Sequence, residues 1–209
     1  MHKHFSSDKT LNYYNTNASS FTSDTVSVEF DEKQHLFLKY LQPGAQILDF
    51  GCGSGRDSKA FIEKGYRVTA MDGSPEMCKI ASRYIGEEVV CKKFHELDEQ
   101  NNYDAIWACA SILHVPLIEL PKMIEKIGTA LKPGGYFYVS FKYGDFEGEQ
   151  NGRYFTYLTE NTFESLLDPF QQLDIVEMSV TSDVREGRQH EKWLNAVVKR
   201  IIKQDEPSL

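Results

Sequence analysis

Short apolar runs alternate with amphipathic stretches along most of this chain, which predicts alternating strands and helices. The apolar runs predict successive strands at residues 47–50, 66–71, 88–92, 103–110 and 136–142. Apolar residues at helical spacing predict helices at residues 30–41, 56–64, 74–85 and 117–131. Alternation of this kind is typical of an α/β fold built on a parallel sheet.

The C-terminal third departs from the alternation. Residues 143–152 are acidic and contain glycine, and they are predicted to form a surface loop or lid. Thr159 is a good cap for a helix that runs to about Leu167. Residues 175–180 and 193–201 then predict two antiparallel strands at the edge of the sheet.

The chain is predicted to form a single domain between two short tails. Residues 1–10 are polar and are predicted to be a disordered tail, residues 11–203 form the domain, and residues 204–209 should fray. Tyr13, Tyr14 and Phe21 make the start of the domain too aromatic for a tail. The plain interpretation is a segment packed on the edge of the core.

The loop after the first strand carries the strongest chemical signal. Gly51, Gly53 and Gly55 let the backbone approach a ligand closely, and a helix begins at Arg56. A dinucleotide-binding loop would have its third glycine at that position, so a nicotinamide-dependent dehydrogenase is disfavoured. Asp49, at the end of the strand, would repel a pyrophosphate but suits a ligand that carries an ammonium group. S-adenosylmethionine carries an ammonium, a carboxylate and a sulfonium, and no phosphate.

This strand and loop resemble motif I of the class I S-adenosylmethionine-dependent methyltransferases. The Leu-Lys-Pro-Gly-Gly sequence at 131–135, followed by a strand, is a second landmark of that family. The resemblance runs from Tyr14 to Lys199 and implies a Rossmann-like, seven-stranded, mostly parallel sheet with an antiparallel C-terminal hairpin and helices on both faces. The chain is also similar to bacterial proteins named for tellurite resistance, from which no substrate is carried over.

The resemblance implies S-adenosylmethionine as the cofactor. Asp72, at the end of the second strand, matches the acid that holds the ribose hydroxyls, although a plain turn residue is the alternative. The resemblance places Tyr14 over the methionine end, and Cys109 and Ala110 beside the sulfonium and its methyl group. The implied cofactor-binding residues are Tyr14, Asp49, Gly51, Cys52, Gly53, Arg56, Asp72, Gly73, Ser74, Met77, His95, Glu96, Cys109 and Ala110. His95 and Glu96 match by position only, and a solvated loop is equally compatible.

The acceptor side of the site is predicted from residue order and charge. His114 follows the fourth strand at the edge where α/β sheets bind ligands, so it is the candidate general base, with a purely structural role as the alternative. The predicted substrate residues are His114, Lys142, Arg153, Tyr154, Arg185 and Arg188. Their cations favour an anionic or carbonyl-bearing acceptor, unless the later ones belong to a solvated turn.

Composition narrows the possible partners. The 209 residues carry a formal net charge of −8, which argues against a nucleic-acid-binding surface. The four cysteines form no C-x-x-C pair, which is typical of reduced thiols in the cytoplasm. No apolar run approaches the ~20 residues of a membrane span, and no metal-ligand spacing is present.

The predicted function is transfer of a methyl group from S-adenosylmethionine to a small-molecule acceptor by in-line displacement. The leaving thioether is neutral, so neither an oxyanion hole nor a metal ion is required, and positioning of the reactants can supply most of the acceleration. A non-catalytic protein that binds or senses S-adenosylmethionine is the alternative.

Overall fold

The computed structural model describes residues 7–202 of the chain. Its helices are α1 Ser7–Thr25, α2 Asp31–Leu38, α3 Arg56–Glu63, α4 Pro75–Ile85, α5 Leu120–Ala130 and α6 Glu160–Leu167. Its strands are β1 Gln46–Phe50, β2 Arg67–Asp72, β3 Val90–Cys91, β4 Tyr103–Ala108, β5 Leu131–Lys142, β6 Glu147–Gln150, β7 Arg153–Thr156, β8 Leu173–Ser182 and β9 Lys192–Arg200. No helix among these residues is long and apolar enough to cross a membrane.

Seven of the strands form one sheet in the order β3-β2-β1-β4-β5-β9-β8. The first five are parallel, while β9 runs antiparallel to both β5 and β8. The predicted fold class, a Rossmann-like seven-stranded sheet with an antiparallel C-terminal hairpin, is confirmed. The strand order reverses between β1 and β4, which leaves a crevice at their carboxyl ends where ligands of such sheets bind.

Helices cover both faces of the sheet because its central strands are apolar on both sides. On one face, Leu48 and Ile106 are buried in the cluster that also holds residues of α5 and α6. On the other face, Trp107 packs with Tyr138 from β5 and with side chains of α2 and α3. The Trp107 and Tyr138 rings are stacked with centroids 4.1 Å apart, which fixes β4 against β5.

The first helix begins inside the segment that was predicted to be a disordered tail. Residues 7–10 belong to α1, so the prediction of disorder is wrong for them. The hydroxyl oxygen of Thr10 accepts a hydrogen bond from the backbone N–H of Tyr154, which ties this turn of the helix to β7. Residues 1–6, predicted to be disordered, and residues 204–209, predicted to fray, lie outside the described residues, as does residue 203.

The predicted loop at 143–152 is also corrected. Residues Glu147–Gln150 form β6, which pairs with β7 in a two-stranded antiparallel hairpin. Asn151 and Gly152 join the strands, both with positive φ, at 51° and 77°. That conformation is the one a two-residue hairpin turn requires, and Asn-Gly is its preferred sequence. The hairpin packs beside α1 at one end of the crevice.

Candidate functional site

A cavity of about 910 Å³ opens at the carboxyl ends of β1, β2, β4 and β5. Its far wall is built by α1, by the β6–β7 hairpin and by the link between β8 and β9. Most of the residues predicted for the cofactor line it: Tyr14, Asp49, Gly51, Cys52, Gly53, Arg56, Asp72, Gly73, His95, Cys109 and Ala110. All six predicted substrate residues line it as well: His114, Lys142, Arg153, Tyr154, Arg185 and Arg188.

Three predicted cofactor residues do not face this cavity. Ser74 is buried and caps α4, its hydroxyl oxygen accepting the N–H of Met77 at 3.2 Å. Met77 lies in the first turn of α4 and is itself fully buried. The Glu96 carboxylate accepts the backbone N–H of Lys93 at 2.7 Å and lines a separate, smaller cavity.

The glycine loop provides the close backbone approach that its sequence predicts. Gly51 has φ of 89°, and a Cβ at this position would lie 2.6 Å from the Cβ of Ser111. Gly55 has φ of 83° and precedes the first turn of α3. A side chain at either position would strain the backbone, so the narrow loop depends on glycine. The Gly53 N–H donates to the Asp72 carboxylate at 3.0 Å, which ties the loop to the end of β2.

Asp49 is a buried carboxyl group with no cationic partner among residues 7–202. It is 2% exposed, and its one hydrogen bond comes from the Ser58 hydroxyl at 2.6 Å. The nearest cation is committed elsewhere, because Arg56 donates twice to the neighbouring Asp57 carboxylate. Burial, followed by repulsion from Asp57, raises the pKa of Asp49 to about 8. A cation brought into the cavity would therefore be stabilised by this group and would ionise it.

Asp72 lies at the end of β2 and is partly exposed to the cavity. One carboxylate oxygen accepts the Gly53 N–H, and the other accepts the Ser74 N–H at 2.8 Å. Burial raises the pKa of Asp72, and these backbone donors oppose the shift. Each oxygen accepts only one of these bonds, so the carboxylate retains lone pairs for a ligand with hydroxyl groups.

A strained residue follows β4 at the centre of the crevice. Ala110 has φ of 49°, a conformation that a residue with a Cβ rarely adopts. Its N–H donates to the Ser140 hydroxyl oxygen at 2.8 Å, which helps to hold the conformation. Sequence reasoning did not identify Ser140, because a serine inside a predicted apolar strand carries no signal of its own. Strain of this kind is typical of functional sites.

Tyr14 and His114 are joined by a hydrogen bond across the cavity wall. His114 Nδ1 lies 2.6 Å from the carbonyl oxygen of Tyr154, and since a carbonyl only accepts, Nδ1 carries the proton. In the neutral ring, Nε2 is then an acceptor, and it receives the Tyr14 hydroxyl at 2.8 Å. Burial, with the positive charges of Arg153 and Lys142, lowers the pKa of His114 to about 4. Burial also raises the pKa of Tyr14, so both groups are neutral near pH 7.

The basic residues predicted for the acceptor side do converge on the cavity, but most are neutralised. Arg185 donates to the Asp183 carboxylate through its backbone and its guanidinium. Lys142 and Arg188 both pair with Glu191, at 2.7 Å and 2.6 Å. Hydrogen bonds from Arg188 and Lys142, despite burial, lower the pKa of Glu191 to about 2. The pairing of these cations with Asp183 and Glu191 was missed, because the link between β8 and β9 has no regular structure from which side-chain pairs could be predicted.

Arg153 differs from these residues because no carboxylate pairs with it in the described part of the chain. Its guanidinium carbon lies 4.5 Å from the ring centroid of Tyr13 and 5.0 Å from that of Phe155. Its Nε atom is buried and has no hydrogen-bond partner. The residue is therefore an aromatic-stacked cation whose hydrogen-bonding capacity is not satisfied within residues 7–202.

Comparison with known proteins agrees with this arrangement. Residues 47–135 match a family described as "Methyltransferase domain". The ubiquinone biosynthesis O-methyltransferase of Xanthomonas campestris pv. campestris (strain B100) is 32% identical over 105 residues, which are 47% of this chain and 43% of that protein. The match thus spans less than half the length of this curated relative.

Two solved structures share the fold across most of the chain. The Burkholderia thailandensis 1,6-didemethyltoxoflavin-N1-methyltransferase, with bound 1,6-didemethyltoxoflavin and S-adenosylhomocysteine, has a TM-score of 0.72 at 23% identity, covering 92% of this chain and 85% of its own. TehB from Haemophilus influenzae has a TM-score of 0.65 at 16% identity, covering 89% and 67%. At these identities the likeness establishes the fold. The predicted fold is confirmed, and residues 47–135 match a methyltransferase domain, as the resemblance implies.

Proposed function

We propose that this chain, whose residues 47–135 match a methyltransferase domain, binds S-adenosylmethionine and transfers its methyl group to a small-molecule acceptor. The observation that carries the proposal is a pair of carboxyl groups, the buried Asp49 and the half-buried Asp72, at the ends of adjacent strands on either side of the glycine loop. A cation and a hydroxylated sugar are the chemical features that such a pair selects.

The residues present fit this cofactor. Asp49 is a carboxyl group that lacks a cation, and the ammonium of S-adenosylmethionine would supply one. Asp72 has free acceptor capacity for ribose hydroxyls, and the Gly51 turn leaves room that a Cβ would fill. Cys109 and Ala110 lie on the wall between this half of the cavity and His114. We assign them to the neighbourhood of the reacting methyl group.

The Tyr14–His114 pair supplies a path for the acceptor's proton. When bound, S-adenosylmethionine supplies an electrophilic methyl group and a neutral thioether leaving group. The Tyr14 hydroxyl donates to His114, and although the Arg153 guanidinium lies close to its oxygen, that oxygen has a second lone pair that can accept the O–H or N–H of an acceptor. As the acceptor loses its proton to Tyr14, the tyrosine proton passes to His114 Nε2. A weak base suffices here because the acceptor atom becomes strongly acidic as it is alkylated.

The proposal is tested by binding and by turnover. Calorimetry of the wild-type protein should show binding of S-adenosylmethionine and S-adenosylhomocysteine, and no binding of NAD. Incubation with a metabolite library should then release S-adenosylhomocysteine in the presence of one acceptor class. Failure to bind either cofactor form would refute the proposal. Binding without release from any library fraction would favour the alternative of a binding or sensing protein.

The nature of the acceptor and the location of the protein are parts of the same proposal. A small-molecule acceptor is supported by the recessed cavity, roofed by α1 and the hairpin. A cytoplasmic location is supported by the four cysteines, all of which are free thiols. The anionic character predicted for the acceptor is supported by Arg153, which has no carboxylate partner within residues 7–202.

A further inference from the structure

The cations around the cavity differ in how far their charge is already balanced. Lys142, Arg185 and Arg188 face the cavity, but each is held by Glu191 or Asp183. An incoming anion would have to displace one of those carboxylates, whose pKa values are both held near 2. These three residues are therefore poor candidates for recognising an anion, despite their position.

Arg153 differs because no carboxylate within residues 7–202 neutralises it, and its polar neighbour is the Tyr14 hydroxyl, whose pKa its charge lowers against the effect of burial. It lines the cavity, its Nε is buried without a hydrogen bond, and aromatic rings occupy the positions around its guanidinium. Stacking on rings leaves the in-plane N–H groups of the fork pointing outward, where they can bind two oxygens at once. From this geometry we propose that the acceptor carries an oxyanion, a carboxylate or phosphate, which Arg153 binds. The inference rests on the proposed methyltransferase function.

The position of Arg153 relative to the proton path limits the size of the acceptor. Its guanidinium carbon is 5.9 Å from the ring centroid of Tyr14, whose hydroxyl contacts His114. An acid group on Arg153 and a nucleophile at the Tyr14 hydroxyl can thus belong to one small molecule. The acceptor class is an acid with a hydroxyl or amino group a few bonds from the acid.

The test separates the acid from the rest of the acceptor. Protein saturated with S-adenosylhomocysteine is titrated with benzoate, phenyl phosphate and benzamide, which share a ring and differ in charge. The variants are Arg153→Gln, Arg153→Lys and Arg188→Gln, and the thermal unfolding midpoint reports whether each is folded. We expect an anion to bind wild type at roughly millimolar concentration and benzamide to bind at least about tenfold more weakly. In Arg153→Gln, the anion and benzamide should bind with similar affinity.

The comparison variants sharpen the result. Arg153→Lys retains the charge but not the fork, so it should retain part of the affinity for the anion, whereas Arg188→Gln should stay within about twofold of wild type. Whether benzoate or phenyl phosphate binds more tightly identifies the acid. Equal binding of benzoate and benzamide, no binding of either anion at up to roughly 10 mM, or an equal loss in Arg188→Gln would overturn the proposal.

One further measurement distinguishes an acceptor site from a cofactor site. If Arg153 instead held the methionine carboxylate, Arg153→Gln would weaken S-adenosylmethionine at least about tenfold and leave 5′-methylthioadenosine, which lacks that carboxylate, unchanged. That result would overturn the inference while leaving the proposed function intact. Absence of cofactor binding in wild type would instead refute the proposed function.

Discussion

Binding of S-adenosylmethionine should expel a proton from Asp49, and the variant Asp49→Asn should abolish the release. In the free protein, burial and the nearby Asp57 raise the pKa of this carboxyl group to about 8. An ammonium in the cavity favours the ionised form and lowers that pKa. Asn keeps an acceptor for the Ser58 hydroxyl and removes the charge, so the variant should fold normally.

The magnitude follows from the titration of a single group. A group with a pKa near 8 is about nine-tenths protonated at pH 7, and an ion-paired carboxylate is almost fully ionised. Wild type should therefore release about 0.9 protons from Asp49. The α-amino group of the ligand, if its pKa is ordinary, takes up roughly 0.2 protons when it is bound as an ammonium. The net release is then about 0.7 protons per ligand bound. The affinity of Asp49→Asn should fall by roughly tenfold or more, because a charge-assisted contact is lost.

Calorimetry in two buffers measures this release. The observed binding enthalpy varies with the ionisation enthalpy of the buffer, and the slope is the number of protons transferred. Titrations at pH 7 in phosphate and in Tris should give about 0.7–0.9 protons for wild type and nearly none for Asp49→Asn. S-adenosylhomocysteine, which keeps the ammonium, should also release a proton, whereas 5′-methylthioadenosine should not. A zero slope in wild type, or equal slopes in both proteins, would refute the assignment of Asp49.

Three further outcomes follow from the other groups of the site. Asp72→Ala should weaken the binding of S-adenosylmethionine and of S-adenosylhomocysteine equally, by roughly tenfold, since both carry the ribose. If calorimetry showed weaker binding of only one of them, Asp72 would not contact the sugar. Tyr14→Phe should lower turnover at least about tenfold and keep cofactor affinity within about twofold of wild type. Tyr13→Phe leaves the hydrogen bond to His114 intact, so it should lower turnover less. Finally, the pKa of His114 in the folded state, about 4, lies below its ordinary value of 6.5. The free energy of unfolding is therefore highest above pH 6.5, and it falls as the pH is lowered from 6.5 to 4. At pH 5 the loss is on the order of 2 kcal/mol, and thermal unfolding of His114→Gln at pH 7 and pH 5 should lack it.

The fold was predictable where the signal lies within a short stretch. Each central strand is apolar on both faces because helices cover both, and Ser74 with Pro75 begins α4 as its sequence predicts. The β6–β7 hairpin was not predicted because β6 is polar and contains glycine, so it shows no apolar alternation. The sequence Asn151–Gly152 predicts a tight hairpin turn, but it does not predict that the residues on either side form strands.

The site was predictable on the cofactor side and less so on the acceptor side, for a physical reason. The glycine loop and Asp72 act through backbone geometry and position along the strand, which the local sequence determines. The neutralisation of Lys142 by Glu191 joins residues 49 positions apart and depends on the pairing of β5 with β9. Only the packed structure shows that Lys142 is paired while Arg153 has no carboxylate partner within residues 7–202.

The division of the cavity between two parts of the chain bears on the acceptor. The glycine loop, Asp72, Cys109 and His114 all lie within residues 47–135, the segment that matches the methyltransferase domain. Tyr14, Arg153 and the link between β8 and β9 lie outside it, and they build the opposite wall. Proteins that share a cofactor need similar residues on the wall that binds it, whereas proteins with different acceptors need different residues on the opposite wall. Under the proposed function, the acceptor therefore has to be inferred from α1, the hairpin and that link, where the guanidinium of Arg153 has no carboxylate partner within residues 7–202 and is the group that an acidic acceptor would neutralise.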